Sequence, residues 1–298
     1  MEIHSGKTFD VCVSSCRFRM SILAMKFSHG YYAPPKELKS ENMKFLVAQI
    51  RMELGAEKQI QTIQQVVKKG VETGQRVFVF PELALPGFNR EVVNISSKEN
   101  HVIWTQTLSE LASSHQVYVF AGLPRVDSSS VYNSFYCFKP DGEIACLWDK
   151  IGLTESEQCF FQHGDSRPAI EIEGMTLSVV LCREILDVRE VTDSLSGKGV
   201  ELVLWPSYIG WNLGETEQLR SDAAYYHEAK ELAKTLGAAV VQCNWANGTN
   251  VPEATGLGGS IVISKEGDEI YHAPYDQPAV FEVTLSKTEE LMAKPFSF

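Results

Sequence analysis

The sequence predicts an α/β (or α+β) fold: a mixed β-sheet core with helices on its outer faces. Three observations predict it. Between residues 44 and 123, short aliphatic and β-branched runs alternate with stretches whose apolar residues recur at helical spacing. The turn signals Lys139-Pro140-Asp141-Gly142 and Glu173-Gly174 each join two strand candidates, which adds antiparallel pairs. No linker, repeat or low-complexity run divides residues 43–298, so one domain is expected there.

In chain order, residues 1–42 show no sustained period, contain Pro34-Pro35 and are mildly basic. They are expected to form a poorly structured or loosely docked extension, with a targeting peptide as the alternative. Lys44–Arg51 is a strand. Ala56–Thr73 is a helix, because Ile60, Ile63, Val67 and Val71 recur at helical spacing and Gly74 stops it. Arg76–Phe80 is a buried strand ending at Pro81-Glu82. Ser97–Ser114 is a helix with Ile103, Leu108 and Leu111 on one side, and Gln116–Leu123 is the third strand. Tyr132–Phe138 with Glu143–Trp148, and Pro168–Ile172 with Met175–Leu181, form two hairpins, the second leading into Cys182. Val200–Trp205 is a strand, Glu215–Leu236 a long helix closed by Gly237, and Ala238–Gln242 a strand. Ser260–Ser264 and Glu269–His272 flank the turn Lys265-Glu266-Gly267-Asp268, and Val280–Leu285 is the last strand.

Composition bounds the function. With 298 residues, 44% hydrophobic and 22% charged, the chain can build one large core. Its formal charge of -11 argues against nucleic acid or an anionic membrane surface as the main partner. Seven cysteines without paired spacing do not read as a disulfide framework, so a reducing, cytoplasmic setting is expected. Cys12 and Cys16 form a lone C-x-x-x-C, too little for a metal site. No apolar run approaches the roughly 20 residues of a membrane helix. The run from Arg19 to Phe27 is too short and too late for a signal peptide.

Three ionisable side chains stand at the ends of strand candidates: Glu82, Lys150 and Cys182. Singly, each has a plain explanation: a solvated or capping glutamate, a surface lysine, a cysteine filling the core. Together they make a nucleophilic device. A thiol needs a base, which a buried carboxylate supplies, and an ammonium beside it lowers the thiol pKa and stabilises an oxyanion. A Cys-His device is less well supported, because none of the seven histidines follows a buried strand.

These residues sit in motifs that resemble those of the nitrilase superfamily of carbon–nitrogen hydrolases. Phe80-Pro81-Glu82-Leu83-Ala84-Leu85-Pro86-Gly87-Phe88 is similar to its glutamate motif. Asp149-Lys150-Ile151-Gly152-Leu153-Thr154-Glu155-Ser156-Glu157, running on to Phe161 and Gly164, is similar to its lysine motif, and Leu181-Cys182-Arg183-Glu184 to its cysteine motif. Gly258-Gly259-Ser260-Ile261-Val262-Ile263 and the turn after it resemble the late strand-turn-strand. The resemblance covers about residues 43–285 and implies an αββα sandwich with a Glu-Lys-Cys triad. It implies Glu82 as general base and acid, Lys150 as oxyanion partner, Cys182 as nucleophile and Glu157 as a second, orienting glutamate. It further implies the Arg183 N–H in the oxyanion hole, a homodimer, and no metal or organic cofactor.

The chain departs from the pattern where many members carry His (here Gly152), Thr (here Pro86), and an aromatic and Asp after the cysteine (here Arg183 and Glu184). No triad member is lost. Cleavage of a small amide or N-carbamoyl compound through a cysteine thioester is the expected chemistry. A nitrilase proper and a catalytically silent binding protein are the alternatives. Trp205, Tyr208 and Trp211 are candidate pocket walls, or else core and lid packing. The Arg183 side chain is a candidate for a substrate carboxylate, or pairs with Glu184 or Glu190. A dinucleotide site fits worse: Gly256-Leu257-Gly258-Gly259 lacks the third glycine and precedes a strand.

Overall fold

The computed structural model describes residues 42–53, 55–88, 92–210, 224–248, 257–287 and 291–297. The expected extension, Trp211 and the first part of the helix expected from Glu215 lie outside the described residues.

Each of two sheets is built on three parallel strands. In the first, β1 (Asn42–Gln49), β2 (Val77–Val79) and β3 (Tyr118–Asp127) run parallel, linked by α1 (Ala56–Glu72), the short α2 (Val92–Ile95) and α3 (Lys98–His115). Parallel neighbours need such crossovers, which place helices on the sheet face. The sheet continues antiparallel through β4 (Ser130–Phe138) and β5 (Ile144–Asp149) on one side. On the other it continues through β12 (Ala279–Ser286) and β13 (Met292–Pro295). The second sheet runs β6 (Ile170–Ile172), β7 (Met175–Val179), β8 (Leu202–Ser207), β9 (Ala239–Asn244), β10 (Ile261–Ile263) and β11 (Glu269–His272). Its β7, β8 and β9 are parallel, with α4 (Val188–Leu195) and α5 (Ala224–Leu236) between them.

Strand alternation sets the layers. Phe45 and Val47 of β1 join Leu177, Val179, Leu202 and Leu204 in the core between the sheets. Leu46 and Ala48, on the opposite face of β1, pack with Ile63 and Val67 of α1 and with Trp104 and Leu108 of α3. In the second sheet, Val180, Val203 and Val240 pack outward against Val191 of α4 and Leu232 of α5. The result is the αββα sandwich. Both sheets are buried on two faces, which is why their parallel strands read as continuous apolar runs.

Three readings change. Ile103 is 55% exposed; the buried stripe of α3 is Trp104, Leu108, Leu111 and Ala112. Residues 182–195, for which no element was expected, form a 3-10 turn (Cys182–Leu186) and α4. Val280–Leu285 is not the last strand, because β13 adds to its edge with mostly exposed residues that carry no burial pattern.

Candidate active site

Glu82 stands where β2 leaves the first sheet. Phe80 still pairs with β3 through its N–H to the Phe120 carbonyl (2.8 Å), and the chain then turns through Leu83 at φ 48°. That turn lies flat on β3 because residue 122 is glycine: a Cβ there would sit 2.2 Å from the Leu83 nitrogen. The Trp245 indole donates to the Glu82 carbonyl at 2.8 Å. Lys150 follows β5 and is held by its N–H to the Asn133 carbonyl (2.8 Å). Both side chains are buried.

Cys182 follows β7, after Val180 has bonded to the Leu204 carbonyl (3.0 Å). Its φ is 49°, left-handed and uncommon for a side chain with a Cβ. Non-glycine residues are held there only where the surroundings over-determine them, as functional turns often are. Here the Trp205 indole clamps the Cys182 carbonyl at 2.8 Å. Arg183 sits in the first turn of the 3-10 helix, where N–H groups have no intrahelical acceptor.

The side chains converge. Lys150 Nζ donates to Glu82 Oε1 at 2.8 Å and to Glu157 Oε1 at 2.6 Å. Asn133 Nδ2 donates to the same Glu82 oxygen at 2.8 Å. Glu82 Oε2 is equally buried and has no partner among the described residues. Glu157 is better supplied, its Oε2 accepting the Thr154 N–H (2.9 Å) and hydroxyl (3.0 Å). The Cys182 thiol lies against the Tyr208 carbonyl at 3.6 Å, and its charge state is coupled to Glu82, Lys150 and Glu157.

Two carboxylates competing for one ammonium are driven apart in proton affinity. Burial pushes Glu82 up, with Lys150 offsetting only part of it. Glu157 is also buried, but Lys150 and Thr154 outweigh that and hold it below the usual range. For Lys150, burial opposes the charge while Glu82, Cys182 and Glu157 favour it, leaving the ammonium above the usual lysine range. Burial raises the Cys182 thiol, further supported by Glu82 and opposed by Lys150. Burial and the shared ammonium thus favour a charged Lys150 and an ionised Glu157, and favour the protonated forms of Glu82 and Cys182.

Other sequence candidates move. Trp205 is fully buried in the outer core, where its indole supports the nucleophile turn. Tyr208 is half-buried and stacks on Phe88 with ring centroids 4.5 Å apart, reaching Cys182 through its carbonyl. Arg183 pairs with neither Glu184 nor Glu190. It forks onto Asp187, at 2.9 and 3.1 Å, because one 3-10 and helical turn brings them together. That pair fills the room beside Gly152, where a Cβ would meet Asp187 Oδ2 at 2.7 Å and Arg183 Nη1 at 3.0 Å.

Asn133 and Tyr225 were not found from sequence. Asn133-Ser134 interrupts an otherwise aromatic strand, a signal that a buried polar group was needed there. Tyr225, in the first turn of α5, has its phenol raised by burial and sits within the field of Cys182 and Arg183. Among the described residues, no three His, Cys, Asp or Glu side chains are grouped to hold a metal ion, and no helix is long and apolar enough to cross a membrane.

Several known proteins are similar to this chain in sequence or fold. The chain is 26% identical over 263 residues to a glutamine-dependent NAD(+) synthetase of Thermotoga maritima, covering 84% of this chain and 43% of that protein. It therefore spans less than half the length of that relative. It is 28% identical to a nitrilase of Pyrococcus abyssi over 161 residues, covering 52% of this chain and 61% of that one. A carbon–nitrogen hydrolase from Helicobacter pylori superposes with a TM-score of 0.74 at 19% identity, covering 83% of this chain and 90% of that chain. An amidase from Nesterenkonia sp. superposes with a TM-score of 0.70 at 18% identity, covering 82% and 90%. The carbon–nitrogen hydrolase family model matches residues 47–291, a span that contains Glu82, Lys150, Glu157 and Cys182, and the chain belongs to that family.

Proposed function

We propose that this protein hydrolyses a small non-peptide amide or N-carbamoyl compound through a thioester on Cys182. The observation that carries the reading is the buried Glu82–Lys150–Glu157 cluster beside the Cys182 thiol, with one Glu82 oxygen left without a partner among the described residues. Glu82 takes the thiol proton, and the thiolate attacks the substrate carbonyl. Lys150 and the Arg183 N–H stabilise the oxyanion, and Glu82 returns the proton to the departing amine or ammonia. Water, activated by Glu82, then cleaves the thioester. Glu157 keeps Lys150 charged and in place.

Support also comes from the Nesterenkonia amidase, variants of which carry the acetamide moiety of fluoroacetamide covalently at the active-site cysteine. Similarity to glutamine-dependent synthetases favours a second reading, in which the amide is the side chain of glutamine. A panel of amides (glutamine included), ureides and nitriles, read by released ammonia, separates these readings from a nitrilase. Cys182→Ala is expected to fold and lose turnover, and intact mass after incubation with a substrate is expected to show an acyl adduct on Cys182. Retained turnover in that variant overturns the reading.

A further inference from the structure

Glu184, two residues past Cys182, is 1% exposed and fully engaged. Its Oε1 accepts the N–H groups of Ile151 and Gly152, the latter at 2.9 Å. Its Oε2 accepts the Leu181 N–H at 2.9 Å and meets Arg167 Nη2 at 3.1 Å. Ile151 and Gly152 follow Lys150, at the end of the first sheet; Leu181 precedes Cys182, at the end of the second. One carboxylate thus joins the two turns that carry the ammonium and the thiol.

Arg167 is anchored in turn. Its Nη1 donates to the Ser194 hydroxyl of α4 at 3.0 Å, and its carbonyl accepts Lys198 Nζ at 2.8 Å. Gly152 lets the lysine turn lie flush, since a Cβ there would sit 3.0 Å from Glu184 Cγ. A buried ion pair of this kind is a poor device for stability alone, because well-packed apolar residues often do as well. What it supplies is a fixed separation, and catalysis depends on separations held to fractions of an ångström.

We propose that Glu184, held by Arg167, is a positioning residue that sets the Lys150 ammonium against the Cys182 thiol across the two sheets. The proposal rests on the nucleophilic reading of Cys182 above. It is tested with iodoacetamide, which alkylates the thiolate and needs no substrate, with peptide mass mapping to follow Cys182 alone.

In Glu184→Gln an amide N–H must face backbone or guanidinium donors at one end, so the two turns separate. The pH profile of Cys182 alkylation is expected to move upward by about one unit, a roughly tenfold slower rate near pH 8. Arg167→Met is expected to move it in the same direction, and Arg167→Lys, which keeps the cation, to return most of the profile to its parent position. If Glu184→Gln does not fold, the two Arg167 variants carry the test. A purely structural role lowers Tm and leaves the profile in place. Folded Glu184→Gln or Arg167→Met variants whose profiles superimpose on the parent, or move to lower pH, overturn the proposal. A Cys182→Ala enzyme that still hydrolyses amides overturns the chemistry instead, whatever the alkylation shows.

Discussion

At Lys150 a single ammonium serves two carboxylates, and the supply of other donors decides which one stays ionised. Glu157 takes Lys150 and both Thr154 groups; Glu82 takes Lys150 and Asn133 on one oxygen and, among the described residues, nothing on the other. Glu157 is thereby held below its ordinary value of 4.5. A depressed carboxylate stabilises the fold above its unfolded pKa, and the contribution is lost as pH falls through the folded value. Glu157→Gln is therefore expected to lose about 3 kcal/mol near pH 7, as for a broken buried pair. The gap to the parent should narrow as pH falls below 4.5, which urea unfolding at the two pH values checks. Glu82 has the opposite sign, since its raised pKa stabilises below 4.5 and that contribution fades as pH rises.

At the scale of elements, the placement of Glu82 depends on how closely the turn after β2 approaches β3. Gly122→Ala puts a Cβ 2.2 Å from the Leu83 nitrogen, so either the turn or the strand must move. Overpacking of that kind costs about 1–3 kcal/mol. A displacement of about 1 Å at a reacting group lowers turnover by roughly 100-fold. A Tm scan and a kcat measurement should find both effects, with kcat falling far more than stability predicts. The elements with a strong apolar rhythm were legible: α1, the parallel strands and the hairpins stand close to where the periodicity placed them. α4 and β13 were not. α4 is only eight residues long, so its apolar residues Val188, Val191 and Leu195 span barely two turns, and β13 is an exposed edge strand that needs no apolar pattern.

For the molecule as a whole, the site draws from both sheets. Glu82, Asn133 and Lys150 come from the first, Cys182 and the Tyr208 carbonyl from the second, and the shared inner core fixes their relation. β1 opens at Asn42 and is the central partner of β2 and β12, so the cut that preserves the sandwich falls before it. A chain lacking residues 1–41 is expected to fold with unchanged Tm and turnover; aggregation of that chain would show the extension to be structural.

By itself the sequence determined the family of the fold, most of the run of strands and helices, and the identity of Glu82, Lys150, Glu157 and Cys182 as groups of the site. Those depend on local rhythm and on short motifs, which are written in consecutive residues. Only the tertiary structure decided that Arg183 forks onto Asp187, that the Trp205 indole braces the Cys182 carbonyl, and that Asn133 and Glu184 hold the cluster together. Buried polar side chains must find partners wherever the packing brings donors and acceptors near, and such partners stand far apart in the chain, 51 residues for Asn133 and Glu82 and 68 for Lys150 and Glu82, beyond the reach of any local pattern.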